Sequence, residues 1–310
     1  MRINNSTEDI LYSHLGQAVG CQLVAAMGIV VLLLLFSSCE NPNLEAAEGD
    51  TVNLVGDGGC KVEFRMSDLH IDAYEGEAAT IAEQQQCGRL NFAIFKDDER
   101  LKVVNQTADQ PNFGRVLLDI EPGVYRIVVL GHNGLGNASI SSPEKIKFKD
   151  NKVTDTFYYY GTIEVVGTSS FDIPLKRAVA KCQIVVRDRI PSTVSQMQFK
   201  YTGGSSTFDA VSGYGCVNSR QTENRVIHAP DEYGTTKFDL YTFPHQPKDL
   251  LSITVMALNS SGDILSSHVI NDVEVNINKL TSCEGKLFES TSEGSSDGDF
   301  MVTTRDEWLE

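Results

Sequence analysis

Basic charge is scarce in this chain. Its 310 residues carry 26 Lys and Arg against 42 Asp and Glu, a net charge of −16. A nucleic-acid binder would show a basic patch. Attachment to anionic lipid would need clustered Lys and Arg. The composition argues against both. Helical periodicity is scarce too, and only Ala78–Gln86 reads as a short helix. Catalytic motifs are missing: there is no HExxH and no P-loop. No CxxC or Cys/His cluster suggests zinc. These absences leave a non-catalytic protein with no cofactor as the expectation.

What is present begins with Cys39, which follows the run Leu32–Phe36 and two serines. An apolar stretch, small residues and then Cys form a lipoprotein signal, so residues 1–38 read as a signal peptide removed before an acylated Cys39. Each buried CH₂ of an acyl chain contributes about 0.8 kcal/mol. The apolar core Leu23–Phe36 is short for a spanning helix, which needs about 20 apolar residues. The start is atypical, because 22 residues precede that core with Arg2 against Glu8 and Asp9; an internal start at Met27 is the alternative. Without residues 1–38 the net charge is −15. Five cysteines follow Cys39, at 60, 87, 182, 216 and 283. Export permits disulfides, and Cys60 and Cys87 are the candidate pair; Cys182 lies in a strand pattern and reads as a buried thiol.

Residues 39–58 are small, acidic and Gly-containing, a flexible stalk. Beyond them the chain is strand-like almost throughout, with twelve β-rich runs from Val62–Met66 to Thr281–Phe288 separated by turn formers such as Glu121–Gly123 and Ser260–Gly262. Many short strands punctuated by turns predict an all-β sandwich architecture. The halves echo one another. Tyr125–Asn133 aligns with Leu251–Asn259, Arg115–Ile120 with Lys237–Thr242, and Lys61–Met66 with Lys181–Val186. Two tandem domains follow, 59–168 and 169–288, with a joint near Gly167–Pro174. Strand alternation points Ile127, Val129, Ile253 and Val255 into the two cores. Residues 289–310 are a Ser/Gly/acid linker followed by the strand-like Phe300–Thr304, with the single Trp308 near the end.

The remaining candidates have plainer readings. Gly131–Gly136 lacks the last glycine of a nucleotide loop and no helix pattern follows, so it reads as a turn. His70, His132, His228, His245 and His268 are scattered singly. Asp97–Glu99 reads as a solvated hairpin tip. Tyr158–Tyr160 could stack sugars, but neighbouring Tyr on a strand face opposite sides.

Five stretches in order resemble the FimB/Mfa-type fimbrial anchor and fimbrillin-like proteins of Bacteroidota, builders of type V pili. They are Phe113–Gly114 with Pro122–Tyr125 and Asn133; Asp155–Gly161 (DTFYYYG); Ile173–Lys181 (IPLKRAVAK); Arg187–Pro191 (RDRIP); and Asn276–Thr281 (NINKLT) with Gly285. The resemblance as a whole extends from about residue 60 to 288. The resemblance implies two transthyretin-like β-sandwich domains, a lipidated N-terminus, the outer membrane as location and fimbrillin-like pilus subunits as partners. It also implies joining by β-strand exchange, in which an open edge gains backbone hydrogen bonds and buries alternate side chains. Stalk members of the family are cut after an Arg near the first strand, and Arg65 and Arg89 lie in that region; anchor members keep that strand. The expected role is the membrane anchor, with Phe300 and Val302 on the inserted face of a strand offered to the next subunit. The rival reading is a surface glycan-binding lipoprotein, which would need Tyr158–Tyr160 as an exposed platform.

Overall fold

The computed structural model describes residues 52–53, 59–67, 87–228, 235–288 and 300–304. They fall in one compact unit, Ala46–Glu310. Cys39, the signal, the candidate helix Ala78–Gln86 and Trp308 lie outside the described residues.

The chain is all β. Its first half forms β1 (Val52–Asn53), β2 (Cys60–Ser67), β3 (Arg89–Lys96), β4 (Glu99–Thr107), β5 (Arg115–Ile120) and β6 (Gly123–His132). Then come β7 (Ser139–Ser142), β8 (Lys145–Lys147), β9 (Thr156–Val165), β10 (Ser169–Pro174) and β11 (Lys176–Arg177). The second half forms β12 (Ala180–Val186), β13 (Gln196–Thr202), β14 (Thr207–Asp209), β15 (Tyr214–Gly215) and β16 (Gln221–Val226). It ends with β17 (Thr236–Thr242), β18 (Lys248–Leu258), β19 (Ile264–Asn276), β20 (Leu280–Gly285) and β21 (Met301–Thr304).

In the first lobe the sheet β1-β5-β2-β10 faces the sheet β11-β9-β6-β3-β4. In the second, β17-β12-β20-β21 faces β16-β13-β18-β19. The internal repeat is therefore real at the level of pairing. β2 lies between antiparallel β5 and parallel β10, as β12 lies between antiparallel β17 and parallel β20. β6 and β18 both lie in the interior of their sheets. Ile127 and Val129 sit fully buried in one core, Ile253 and Val255 in the other.

A third sheet, β15-β14-β8-β7, takes two strands from each half; Phe208 of β14 stands opposite Ile146 of β8. It covers the outer face of the first lobe, where Ala93, Phe95, Val128 and Leu130 meet Ile146, Phe208 and Phe243 in a shared core. This explains why Phe92–Phe95 and Ile127–Leu130 are continuous apolar runs and not alternating ones. Both faces of those strands are covered, so neither can be polar.

Two stretches pair otherwise than their expected assignment. Residues 169–174, expected to open the second domain, form β10 in a sheet of the first lobe. Ser169–Pro174 pairs in parallel with Val62–Ser67, and Ile173 and Phe171 join the first core. The fold also begins before residue 59, since Val52–Asn53 pairs with Leu118–Asp119 inside the stretch expected to be stalk. Asp97 and Asp98 form the turn of the β3–β4 hairpin, with Asp97 at φ 53°. Asp tolerates this left-handed geometry better than most residues.

Candidate strand-exchange edges

The two lobes share a pairing plan but finish their edges differently. In the first, β1 is added beyond β5, and among the described residues nothing lies beyond β10. In the second, β21 is added beyond β20, and nothing described lies beyond β17. β21 runs antiparallel to β20, with Thr281 opposite Thr304 and Cys283 opposite Val302. Its anchor is Phe300, only 7 % exposed and part of the second core. The ring lies over Gly285, where a Cβ would come within 2.7 Å of it, and 5.1 Å from the His268 ring. Gly285 is thus the floor of the Phe300 seat: any side chain there would occupy the space of the ring. Met301 and Val302 are 64 % and 36 % exposed. Val302 shares the inward side with Phe300 but stays at the rim, so Phe300 alone is inserted, and into its own chain.

The opposite edge of the second lobe is guarded. Two carbonyls of β17 accept hydrogen bonds from side chains: Asp239 from Arg225 (3.2 Å), and Tyr241 from Tyr201 (3.1 Å) and Gln221 (3.5 Å). Arg225 is held by buried Glu223, which also pairs with Lys152 at 3.3 Å. A cleft of about 600 Å³ follows this seam, lined by Ile190, Arg225, Ile227, Phe238 and Tyr241. Side chains on these carbonyls discourage an incoming strand.

Between the lobes, three of the family-like stretches meet. Arg177 donates to both carboxylate oxygens of Asp155 (2.9 and 3.1 Å) and to the Asn278 side chain (2.7 Å). Its guanidinium lies 4.7 Å over the Phe157 ring. The Arg177 and Asp155 side chains are 3 % and 9 % exposed. Asn278 turns with φ 59° and donates its N–H to the Val179 carbonyl. Nearby, His132 is fully buried, with Nε2 donating to Asn91 Oδ1 (2.8 Å) and Nδ1 accepting from the Gly134 N–H (3.0 Å). Burial, helped by the charge of Arg89, pushes this imidazole down to about 4.

The structure separates the expected disulfide partners. Cys60 pairs with Ile120, just ahead of the start of β6 at Gly123, and Cys87 fills the space over Gly131 near the other end of that strand. The strand from Gly123 to Gly131 alone spans more than about 20 Å, whereas bridged Cα atoms lie within about 7 Å. Both are free, buried thiols, and burial, with the charge of Asp155 adding, pushes Cys87 up to about 12. The tyrosine platform is not formed. Tyr158 is 6 % exposed and edge-on to Phe208, Tyr160 packs on the shared core and Tyr159 on the first core. Arg65 lies within β2 and pairs with Asp172; Arg89 opens β3 and bonds the Gly134 carbonyl. Neither lies in an open loop. The clamp residues Asp155, Arg177 and Asn278 were within the family-like stretches, but nothing in the spacing showed that they touch.

A model of the fimbrillin-A associated anchor proteins Mfa1 and Mfa2 matches residues 53–299. No curated protein matches the chain. Among solved structures, a provisionally assigned adhesin of Bacteroides ovatus is 11 % identical, with 76 % of this chain and 87 % of that one covered and a TM-score of 0.47. A similarly described adhesin of Bacteroides thetaiotaomicron is 10 % identical, with 80 % and 96 % covered and a TM-score of 0.45. The fimbrial anchor protein Mfa2 of Porphyromonas gingivalis is 12 % identical, with 78 % and 94 % covered and a TM-score of 0.37. The family match spans most of the chain, which belongs to the fimbrillin-A associated anchor protein family.

Proposed function

We propose that this member of a fimbrial anchor family is the non-catalytic membrane anchor of a fimbrium. Acyl chains on Cys39 hold the outer membrane, the lobes form a rigid base, and β21 is the strand exchanged with a fimbrillin-like subunit. The observation that carries the reading is the seat of β21. It is a four-residue strand at a sheet edge, separated from β20 by residues 286–300, and one aromatic side chain fixes it. Burying a Phe contributes about 1.5–3 kcal/mol. A strand held this lightly can leave its own edge and pair with the equivalent edge of a neighbour, as in domain swapping. The new ladder replaces the old bonds and adds the pockets of the partner.

The test is made in the cell that carries the fimbria. A chain lacking residues 297–310 should stay in the membrane fraction while fimbriae are shed. Cys39→Ala should release chain and fimbriae together. Full retention of fimbriae by the truncated chain would refute the role of β21, and an unacylated Cys39 would refute the anchor.

A further inference from the structure

We infer that Asp188 is the fixed point from which the exchanging arm swings, a positioning residue that limits exchange to the chain beyond Phe288. The inference rests on the strand-exchange reading above. Asp188 follows β12 by two residues and is 4 % exposed. Its carboxylate accepts the Leu287 N–H at both oxygens (3.0 and 3.1 Å) and the Phe288 N–H at Oδ2 (2.5 Å). The same two residues are held from β19, where the Ser266 hydroxyl donates to the Leu287 carbonyl at 2.6 Å. The Leu287 side chain is buried in the second core and Phe288 packs against that core. Polar and apolar holds thus converge where the chain leaves β20 for β21.

A carboxylate suits this place. The β12–β20 ladder ends with Val186 opposite Gly285. One more backbone bond, from the Arg187 N–H to the Gly285 carbonyl (2.8 Å), carries it on. Beyond that bond the Asp188 side chain acts as the strand partner. An ionised carboxylate only accepts, so its oxygens can serve two successive amides. Hydrogen bonds to a charged acceptor are also about twice as strong as neutral ones. Burying the charge would be costly without them.

The clasp has a mechanical meaning. Gly285 is the floor of the Phe300 seat. Arg187 holds that floor by its carbonyl, and Asp188 holds the chain two and three residues further on. When β21 lifts away, both holds stay. The seat keeps its shape for an incoming strand, and β20 does not peel from β12. A pull on the arm ends at Leu287 and Phe288 before it reaches the β20 ladder. Local opening and opening of the whole lobe are separate events, and Asp188 marks the border between them.

The experiment has two arms, both on the full-length chain. Amide exchange read at residue level ranks the holds. Phe300→Ala should speed the amides of β21 while those of Leu287 and Phe288 keep their wild-type rates. Asp188→Asn should speed Leu287 and Phe288 by roughly tenfold or more. The amides of β13 and β18 should not move, which separates loss of the clasp from loss of the lobe. Ser266→Ala leaves the carboxylate in place and should speed the same two amides by less. In the second arm a single molecule is pulled from its C-terminal end. Release of residues 289–304 lengthens the wild-type chain by at most about 55 Å, whereas Asp188→Asn, with residues 280–304 peeling together, should lengthen by about 85 Å in its first step. Failure of exchange itself shows separately, in the cell, as fimbriae retained by the chain lacking residues 297–310. Leu287 and Phe288 amides that speed up along with β21 in Phe300→Ala, unchanged rates in Asp188→Asn, or a wild-type first step that already takes β20 with it would overturn the inference.

Discussion

Replacing Asp155 by Asn should unlock the joint between the lobes. Arg177 holds Asp155 through two near-parallel hydrogen bonds, at 2.9 and 3.1 Å, with both side chains almost fully covered. Asn keeps the shape but removes the charge and one acceptor. The guanidinium then stays buried and charged beside one neutral amide oxygen, the Asn278 side chain and the Phe157 ring. Breaking one half of a buried pair costs about 3–5 kcal/mol, a large part of a typical stability of about 5–15 kcal/mol. With a urea slope of about 1–3 kcal/mol per molar, the midpoint should fall by at least about 1 M, followed by circular dichroism and tyrosine fluorescence together. The reverse experiment sharpens the point. Asp155→Leu combined with Arg177→Met removes both charges, and should recover most of the loss. A loss below about 1 kcal/mol for Asp155→Asn would refute the claim that this pair holds the joint.

His132 predicts an acid limb of stability. Its folded value of about 4 lies below the ordinary 6.5, so the unfolded chain takes up a proton first and stability falls as pH drops from about 6.5 to about 4, by about 3 kcal/mol in total; a His132→Gln variant should lack that slope in urea titrations at successive pH values. Gly285→Val should push the Phe300 ring from its seat, at a cost of about 1–3 kcal/mol, and expose residues 300–304 to hydrogen exchange while β12 stays protected; unchanged exchange would contradict the seat. A peptide of residues 297–304 added to the chain lacking 297–310 should protect β20, and Phe300→Ala in the peptide should abolish the effect, as read by amide exchange.

Much of the fold could be read in the residues, because alternation and turn formers are local signals. The run Arg115–Ile120 coincides with β5, and the repeat alignment of Lys61–Met66 with Lys181–Val186 anticipated that β2 and β12 hold the same place. The strands that escaped notice are short or polar. Ser139–Ser142 and Tyr214–Gly215 carry no usable periodicity; each pairs with its neighbour in sequence, β8 and β14, and these two strands pair with each other across the halves of the chain. The stretch Gly167–Pro174 reads as a joint in sequence, yet it holds Phe171 and Ile173, two apolar residues at strand spacing that join the first core. The site was half legible. Phe300 stood out as an apolar residue beyond a linker, but whether it fills its own core or another cannot be decided by composition. Gly285 gave no sign of its purpose, since a missing side chain is informative only when the ring beside it is known.

The contrast between the lobes says why exchange would occur where it does. Both inherit one pairing plan, so both present the same two edges to be finished. On the β17 side the second lobe uses side chains, with Arg225, Gln221 and Tyr201 placed on carbonyls that a strand would otherwise take. On the β20 side it uses a strand, seated by one ring on one glycine. Side-chain caps are fixed to their own sheet and cannot pass to another molecule. A strand on a linker can, because its backbone ladder is indifferent to which chain supplies the edge. Exchange at β20 therefore leaves the rest of the lobe closed. If β21 is exchanged as proposed, tension along it would be resisted by a sheet that the β12–β20 pairing already holds, and would pass to the first lobe through the shared third sheet and the Asp155–Arg177–Asn278 contacts.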